Sequence, residues 1–149
     1  LDHVTDPRNL GAIVRTAAYY GIKYIILPKD RQVLLTPASV GTAQGGFALT
    51  NLVVVTNLAR FLGVLKSKNY WVIGAALEGK PFREVDLNFT KRVLVLGAES
   101  KGLSTIVRNK CDLLVRIVGS NPGIDSLNVS VATGVLVDHL VGVSNDLGK

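Results

Sequence analysis

The chain has 149 residues, 48% hydrophobic and 19% charged, with a formal net charge of +6. That apolar fraction excludes a disordered or low-complexity chain, and the length fits one domain over residues 1–149 with a sizeable core. Its lone cysteine, Cys111, excludes an internal disulfide and fits a reducing, cytoplasmic setting, while the basic excess favours an anionic partner only weakly. No methionine occurs, so a trimmed product or an excised domain is expected. The uncharged stretch over residues 32–59 is broken by Pro37, Gly41, Gln44, Gly45, Gly46 and Asn51, so no membrane span is expected.

Residues 1–4 form a candidate first strand, and residues 10–20 a helix with Ile13, Ala17 and Tyr20 on one stripe and Gly21 as its C-cap. A strand follows at residues 23–27 (KYIIL). Residues 36–44 read as a short helix with Pro37 at its first position. A strand at 52–55 (LVVV) precedes a helix over 58–68, capped by Thr56 or Asn57, with Phe61, Leu62 and Leu65 facing the core. Strands at 70–75 (YWVIGA), 92–96 (RVLVL) and 113–117 (LLVRI) follow, the last two separated by a short helix at 104–110. Residues 128–143 form the final helix. Short, β-branched, nearly continuous apolar runs are typical of strands covered on both faces. Their alternation with helices predicts an α/β domain with a mainly parallel sheet and helices on both faces.

In such sheets ligands bind beyond the carboxyl ends of the strands, where three loops carry unusual residues. Residues 5–11 (TDPRNLG) hold a turn, Arg8, a candidate N-cap Asn9, and Gly11, which admits a backbone or ligand; Arg15 lies on the following helix. Helical spacing does not bring Arg15 and Asn9 to one face, and a solvated arginine is the favoured reading of spacing alone. Residues 97–103 (GAESKGL) set two glycines around Glu99 and Lys101, which fits a tight turn against a ligand or an ordinary strand-to-helix turn. Residues 118–128 (VGSNPGIDSLN) contain a turn cluster and then Ser126, an expected N-cap. Asn128 and Ser130 are harder to read as caps, leaving a polar network and a ligand site as equal alternatives.

The usual dinucleotide fingerprint, the P-loop spacing and the G-x-S-x-G elbow are all missing, which disfavours nicotinamide binding, phosphate-loop chemistry and serine hydrolysis. His3 and His139 lack partners at metal-ligand spacing, so no metal is expected; His139 and Cys111 read as packed residues.

Taken together, residues 1–21, 93–103 and 117–134 resemble, in order and spacing, the three motifs of the SpoU (TrmH-like) branch of the SPOUT RNA methyltransferases. The Thr5-Asp6-Pro7-x-Asn9-Leu10-Gly11-Ala12 wording and residues 28–31 (PKDR) are most similar to the 23S rRNA guanosine-2′-O-methyltransferase subgroup, with the tRNA-ribose enzymes as the alternative. Two departures stand out: Val118-Gly119 replaces a proline and a larger residue, and Ser100 stands where glycine is common.

The resemblance implies a C-terminal deep trefoil knot, an S-adenosyl-L-methionine pocket and a homodimer whose partner completes each site. It places Gly97, Ile117 and Leu127 at the cofactor, with Glu99, Gly102 and Asn128 beside it. It implies methyl transfer to a ribose 2′-hydroxyl. Arg15 would stand at that hydroxyl, either anchoring phosphate and stabilising alkoxide or accepting the proton; a guanidinium holds its own proton so firmly that the second role is awkward. Asn9, Glu99, Ser126 and Asn128 would orient the reacting groups. Arg8, Arg15, Lys29, Arg31 and Lys101 are the expected RNA contacts, whose plain alternative is solvated charge. An RNA-binding paralogue without catalysis, or a small-molecule enzyme, are the competing classes. A separate N-terminal RNA-binding domain is expected to be missing from these residues.

Overall fold

The structure is a computed structural model and describes residues 1–30, 35–98 and 101–145, with side chains described through residue 142. Among the described residues, five parallel strands alternate with five α-helices. In chain order they are α1 (Pro7–Tyr19), β1 (Tyr24–Pro28), α2 (Pro37–Ala43), β2 (Asn51–Val55), α3 (Leu58–Ser67), β3 (Trp71–Pro81), β4 (Arg92–Val95), α4 (Thr105–Arg108), β5 (Leu113–Arg116) and α5 (Val129–Asn145). Strands β1 and β2 pair with each other, and β3 lies between β4 and β5, every pair parallel.

The expected strand at residues 1–4 is reduced to a single bridge between Asp2 and Gly97. That short segment still joins the two sheets. The Leu1 nitrogen donates to the Ile26 carbonyl of β1 at 2.7 Å, and the Asp2 amide donates to the Leu96 carbonyl beyond β4 at 2.8 Å.

Successive strand residues feed opposite faces, because side chains alternate along a strand. Ile73 belongs to a core with α1, α2 and α5 residues such as Leu10, Val14, Ala43 and Leu136. Its neighbour Val72 belongs to a second core with Leu58 and Leu62 of α3 and Val107 of α4. Helices therefore cover both faces, as the uninterrupted apolar runs require.

The helix caps follow local chemistry. The Asp6 carboxylate accepts from the Arg8 amide at 2.8 Å, and Pro7 occupies the first turn of α1, where its missing N–H costs nothing. The helix thus begins three residues before the expected start, and Asp6 rather than Asn9 caps it. Asn57, not Thr56, caps α3. Gly21, at φ +71°, ends α1 as expected. Strand β3 runs on to Pro81, beyond the expected residue 75; its pairing with β5 breaks between Ala75 and Lys80, so the intervening residues bulge over the end of the sheet.

Candidate active site

The strand order creates the site. From β3 the chain moves to β4 on one side, then returns to β5 on the other. The loops leaving β4 and β5 therefore flank the carboxyl end of β3, the kind of crevice in which α/β sheets bind ligands. A cavity of about 630 Å³ opens there. Ala75 and Ala76 of β3 and Val115 of β5 supply its floor, and Val129, Ala132 and Leu136 bring α5 against it.

The loop after β4 is shaped by its own backbone. Gly102 donates its amide to the Ala98 carbonyl at 2.7 Å and adopts φ +62°, which favours glycine. A Cβ on Gly97 would stand 2.2 Å from the Gly102 carbonyl carbon. Both glycines line the cavity, yet Gly97 is demanded first by the fold-back of its own loop.

Asp2 fixes the far end of this loop. Its carboxylate, 1% exposed, accepts from the Ser104 amide at 2.6 Å and lies 2.8 Å from His3 Nδ1. The sequence reading missed this residue, since nothing in residue spacing connects positions 2 and 104. Gly11, in turn, makes room for a backbone rather than a ligand: a Cβ there would stand 2.4 Å from the Ser39 carbonyl oxygen of α2.

The last loop ends on the polar pair that was hardest to read. Asn128 Oδ1 accepts from the Ser130 amide at 2.9 Å and from Ser130 Oγ at 2.6 Å. The Asn128 carbonyl accepts from Ala132 at 2.9 Å. Asn128 is thus the cap of α5, and the expected cap Ser126 is an exposed cavity-lining residue instead. The Asn128 Nδ2 group donates to Asn9 Oδ1 at 3.1 Å, which joins the first and third loops across 119 residues of sequence. Asn9 and Asn128 each have further interactions.

Of the expected cofactor residues, Gly97, Gly102, Ile117 and Leu127 line the cavity, as does Lys101. Asn128 stands at its edge between Leu127 and Val129, both of which line it. Glu99 and Arg31 lie outside the described residues. Arg15 is exposed on α1, with its Cα against Gly46, and the hydrogen bonds of the described residues do not tie it to the Asn9–Asn128 pair. Arg8 and Lys29 are exposed. His139 is half-buried, edge-on to Phe82 at 4.9 Å, and Cys111 points its thiol at the Val107 carbonyl, so both are packed residues as expected. Two further lining residues, Glu78 and Arg108, were not singled out in the sequence. Glu78 sits on the part of β3 that apolar patterning did not reach.

A cavity of this size holds a nucleoside-sized ligand. Apolar floor residues suit a flat ring, and the exposed polar rim suits a charged end. The residues present therefore fit a cofactor that combines an adenosine with an amino acid.

The SpoU rRNA methylase family model matches residues 1–138. The 23S rRNA (guanosine-2′-O-)-methyltransferase RlmB of Pseudomonas aeruginosa is 46% identical over 142 residues, covering 95% of this chain and 56% of that protein. The chain spans about half the length of the curated relatives it matches. Among solved structures, the A. aeolicus TrmH/SpoU tRNA modifying enzyme superposes with a TM-score of 0.85 at 29% identity, covering 99% of this chain and 74% of that one. An AdoMet-bound rRNA methyltransferase from Sinorhizobium meliloti gives 0.82 at 27% identity, over 91% of this chain and 51% of that one.

Proposed function

The chain belongs to the SpoU rRNA methylase family, and from that premise we propose that it transfers a methyl group from S-adenosyl-L-methionine to a ribose 2′-hydroxyl of RNA, most specifically a guanosine of 23S rRNA. The observation that carries this reading is the Asn128–Asn9 hydrogen bond at the edge of the cavity, which brings together the first and third motifs. The RlmB relatives support the 23S rRNA substrate, and the AdoMet-bound neighbour supports the cofactor.

The cofactor, when bound, supplies a methyl group already activated on a sulfonium. The protein's own task is then alignment and exclusion of water, which contributes about 7–11 kcal/mol in well-oriented reactions. Gly97, Gly102, Ile117 and Leu127 hold the cofactor against the apolar floor. Asn128, fixed by its cap and by Asn9, orients the reacting groups, aided by Ser126 and Glu99. Arg15, exposed on α1, anchors the target phosphate and stabilises the developing alkoxide. Arg8, Lys29, Arg31 and Lys101 contribute salt-dependent phosphate affinity.

The active unit in this reading is a homodimer in which the partner's first motif delivers Arg15. Exposed apolar side chains beside the site, Val118, Ile124 and Val131, support a covered surface there. The C-terminal part is threaded into a trefoil knot, a reading supported by Val129, Ala132 and Leu136 of α5 lining the same cavity as the loops after β4 and β5. The site of action is the cytoplasm. No helix of the described residues is long and apolar enough to cross a membrane.

Mapping ribose methylation in RNA from cells lacking the gene tests the proposal. A single guanosine in 23S rRNA should lose its 2′-O-methyl group. Loss in tRNA would move the protein to the tRNA-modifying side of the family, and no loss in any RNA would overturn the reading.

A further inference from the structure

The cavity carries one charged pair for which the methyl-transfer chemistry has no task. Glu78 stands on the bulged part of β3, and Arg108 closes α4. Arg108 Nη2 meets Glu78 Oε1 at 2.7 Å, and both residues line the cavity. Their side chains remain 47% and 44% exposed for Arg108 and Glu78, so the pair adds little to the stability of the fold.

Its position is more informative than its strength. The pair belongs to the α4 side of the sheet, whereas the Asn9–Asn128 link lies between α1 and α5 on the other side. A ligand seated on the apolar floor would meet, on the α4 side, a carboxylate beside a guanidinium. That arrangement is complementary to a group which itself carries a carboxylate and an ammonium. Guanidinium takes a carboxylate in a two-pronged bond, and carboxylate accepts from an ammonium. Lys101, Arg116 and Asp125 also line the cavity, but form no ion pair with one another among the described residues.

Resting on the cofactor reading above, we propose that Glu78 and Arg108 bind the amino-acid tail of S-adenosyl-L-methionine, Arg108 taking its carboxylate and Glu78 its ammonium. Adenine and ribose are uncharged and the sulfonium has no N–H, so the tail is the part of the cofactor that matches the pair.

Calorimetry on the full-length protein with two ligands tests this. S-adenosylhomocysteine has the tail; 5′-methylthioadenosine lacks it. Arg108→Ala should weaken S-adenosylhomocysteine by about tenfold or more and leave methylthioadenosine within about twofold of wild type. Glu78→Gln keeps the side-chain shape and should show the same selectivity, which covers the case of an unstable Arg108 variant. Equal losses for both ligands, or no loss for either, would overturn the proposal while leaving the cofactor reading intact. A wild-type protein that binds neither ligand would overturn both.

Discussion

Asn128 Nδ2 donates to Asn9 Oδ1 at 3.1 Å while Asn128 Oδ1 caps α5 through Ser130. One side chain therefore both starts the last helix and fastens it to the first loop. The two tasks can be separated. Asn128→Ser retains a capping oxygen but is too short to reach Asn9, whereas Asn128→Ala loses both. The Ala variant should lose about 1 kcal/mol of stability, a fall in Tm of a few degrees, and Ser much less. Both should lose methyl transfer. Thermal unfolding beside an activity assay checks this; equal Tm values for Ala and wild type would contradict the capping role.

The glycines after β4 should rank by mechanism. A Cβ on Gly97 meets backbone at 2.2 Å, which no rotamer change relieves, so Gly97→Ala should cost about 1–3 kcal/mol and abolish S-adenosylmethionine binding. Gly102→Ala meets no neighbour but must hold φ +62°, so a loss of about 1–2 kcal/mol is expected with binding weakened rather than abolished. Chemical denaturation and calorimetry on the two variants read the order directly.

Gly11→Ala sets two effects against each other. Alanine favours a helix interior by up to about 1 kcal/mol over glycine. Against this stands a Cβ 2.4 Å from the Ser39 carbonyl oxygen and 2.8 Å from Thr42 Cβ. Overpacking against backbone costs about 1–3 kcal/mol and should win. The variant should melt earlier yet bind cofactor with unchanged affinity, since the strain lies between α1 and α2. A rise in Tm would show that the helices separate freely.

Cys111 gives a pH dependence with a definite sign. Burial, with a smaller push from Asp112 that Lys66 opposes, raises its thiol from 9.0 to about 11. A group raised in the folded state stabilises fully below its unfolded pKa and loses that contribution as pH climbs through the folded one. Wild-type stability should thus fall more steeply between about pH 9 and 11 than that of Cys111→Ala. Denaturation midpoints across that window decide it; identical slopes would contradict the burial argument.

Much of this architecture was legible from residue pattern. The β-branched runs located all five paired strands, because strands covered on both faces need nearly unbroken apolar sequence. Gly21 and Pro37 marked a helix end and a helix start for reasons local to the backbone. The errors arose where a local signal had two uses. Asn9 and Ser126 are good capping residues, but Asp6 and Asn128 hold those positions, while Asn9 accepts from Asn128 and Ser126 lines the cavity. Asp2 and the Glu78–Arg108 pair depend on contacts distant in sequence, which periodicity does not encode. The motifs at 93–103 and 117–134 are legible only through the family resemblance; the strand order β4-β3-β5 supplies the physical reason that they meet.

Methyl transfer to RNA by the full-length protein, followed by digestion to nucleosides and mass spectrometry, tests the central claim most directly. With S-adenosylmethionine and 23S rRNA, wild type should yield 2′-O-methylguanosine. Arg15→Ala should lower the yield by about a hundredfold or more while cofactor affinity stays near that of wild type. Methylation on a base instead of a ribose, or undiminished turnover in Arg15→Ala, would contradict the account.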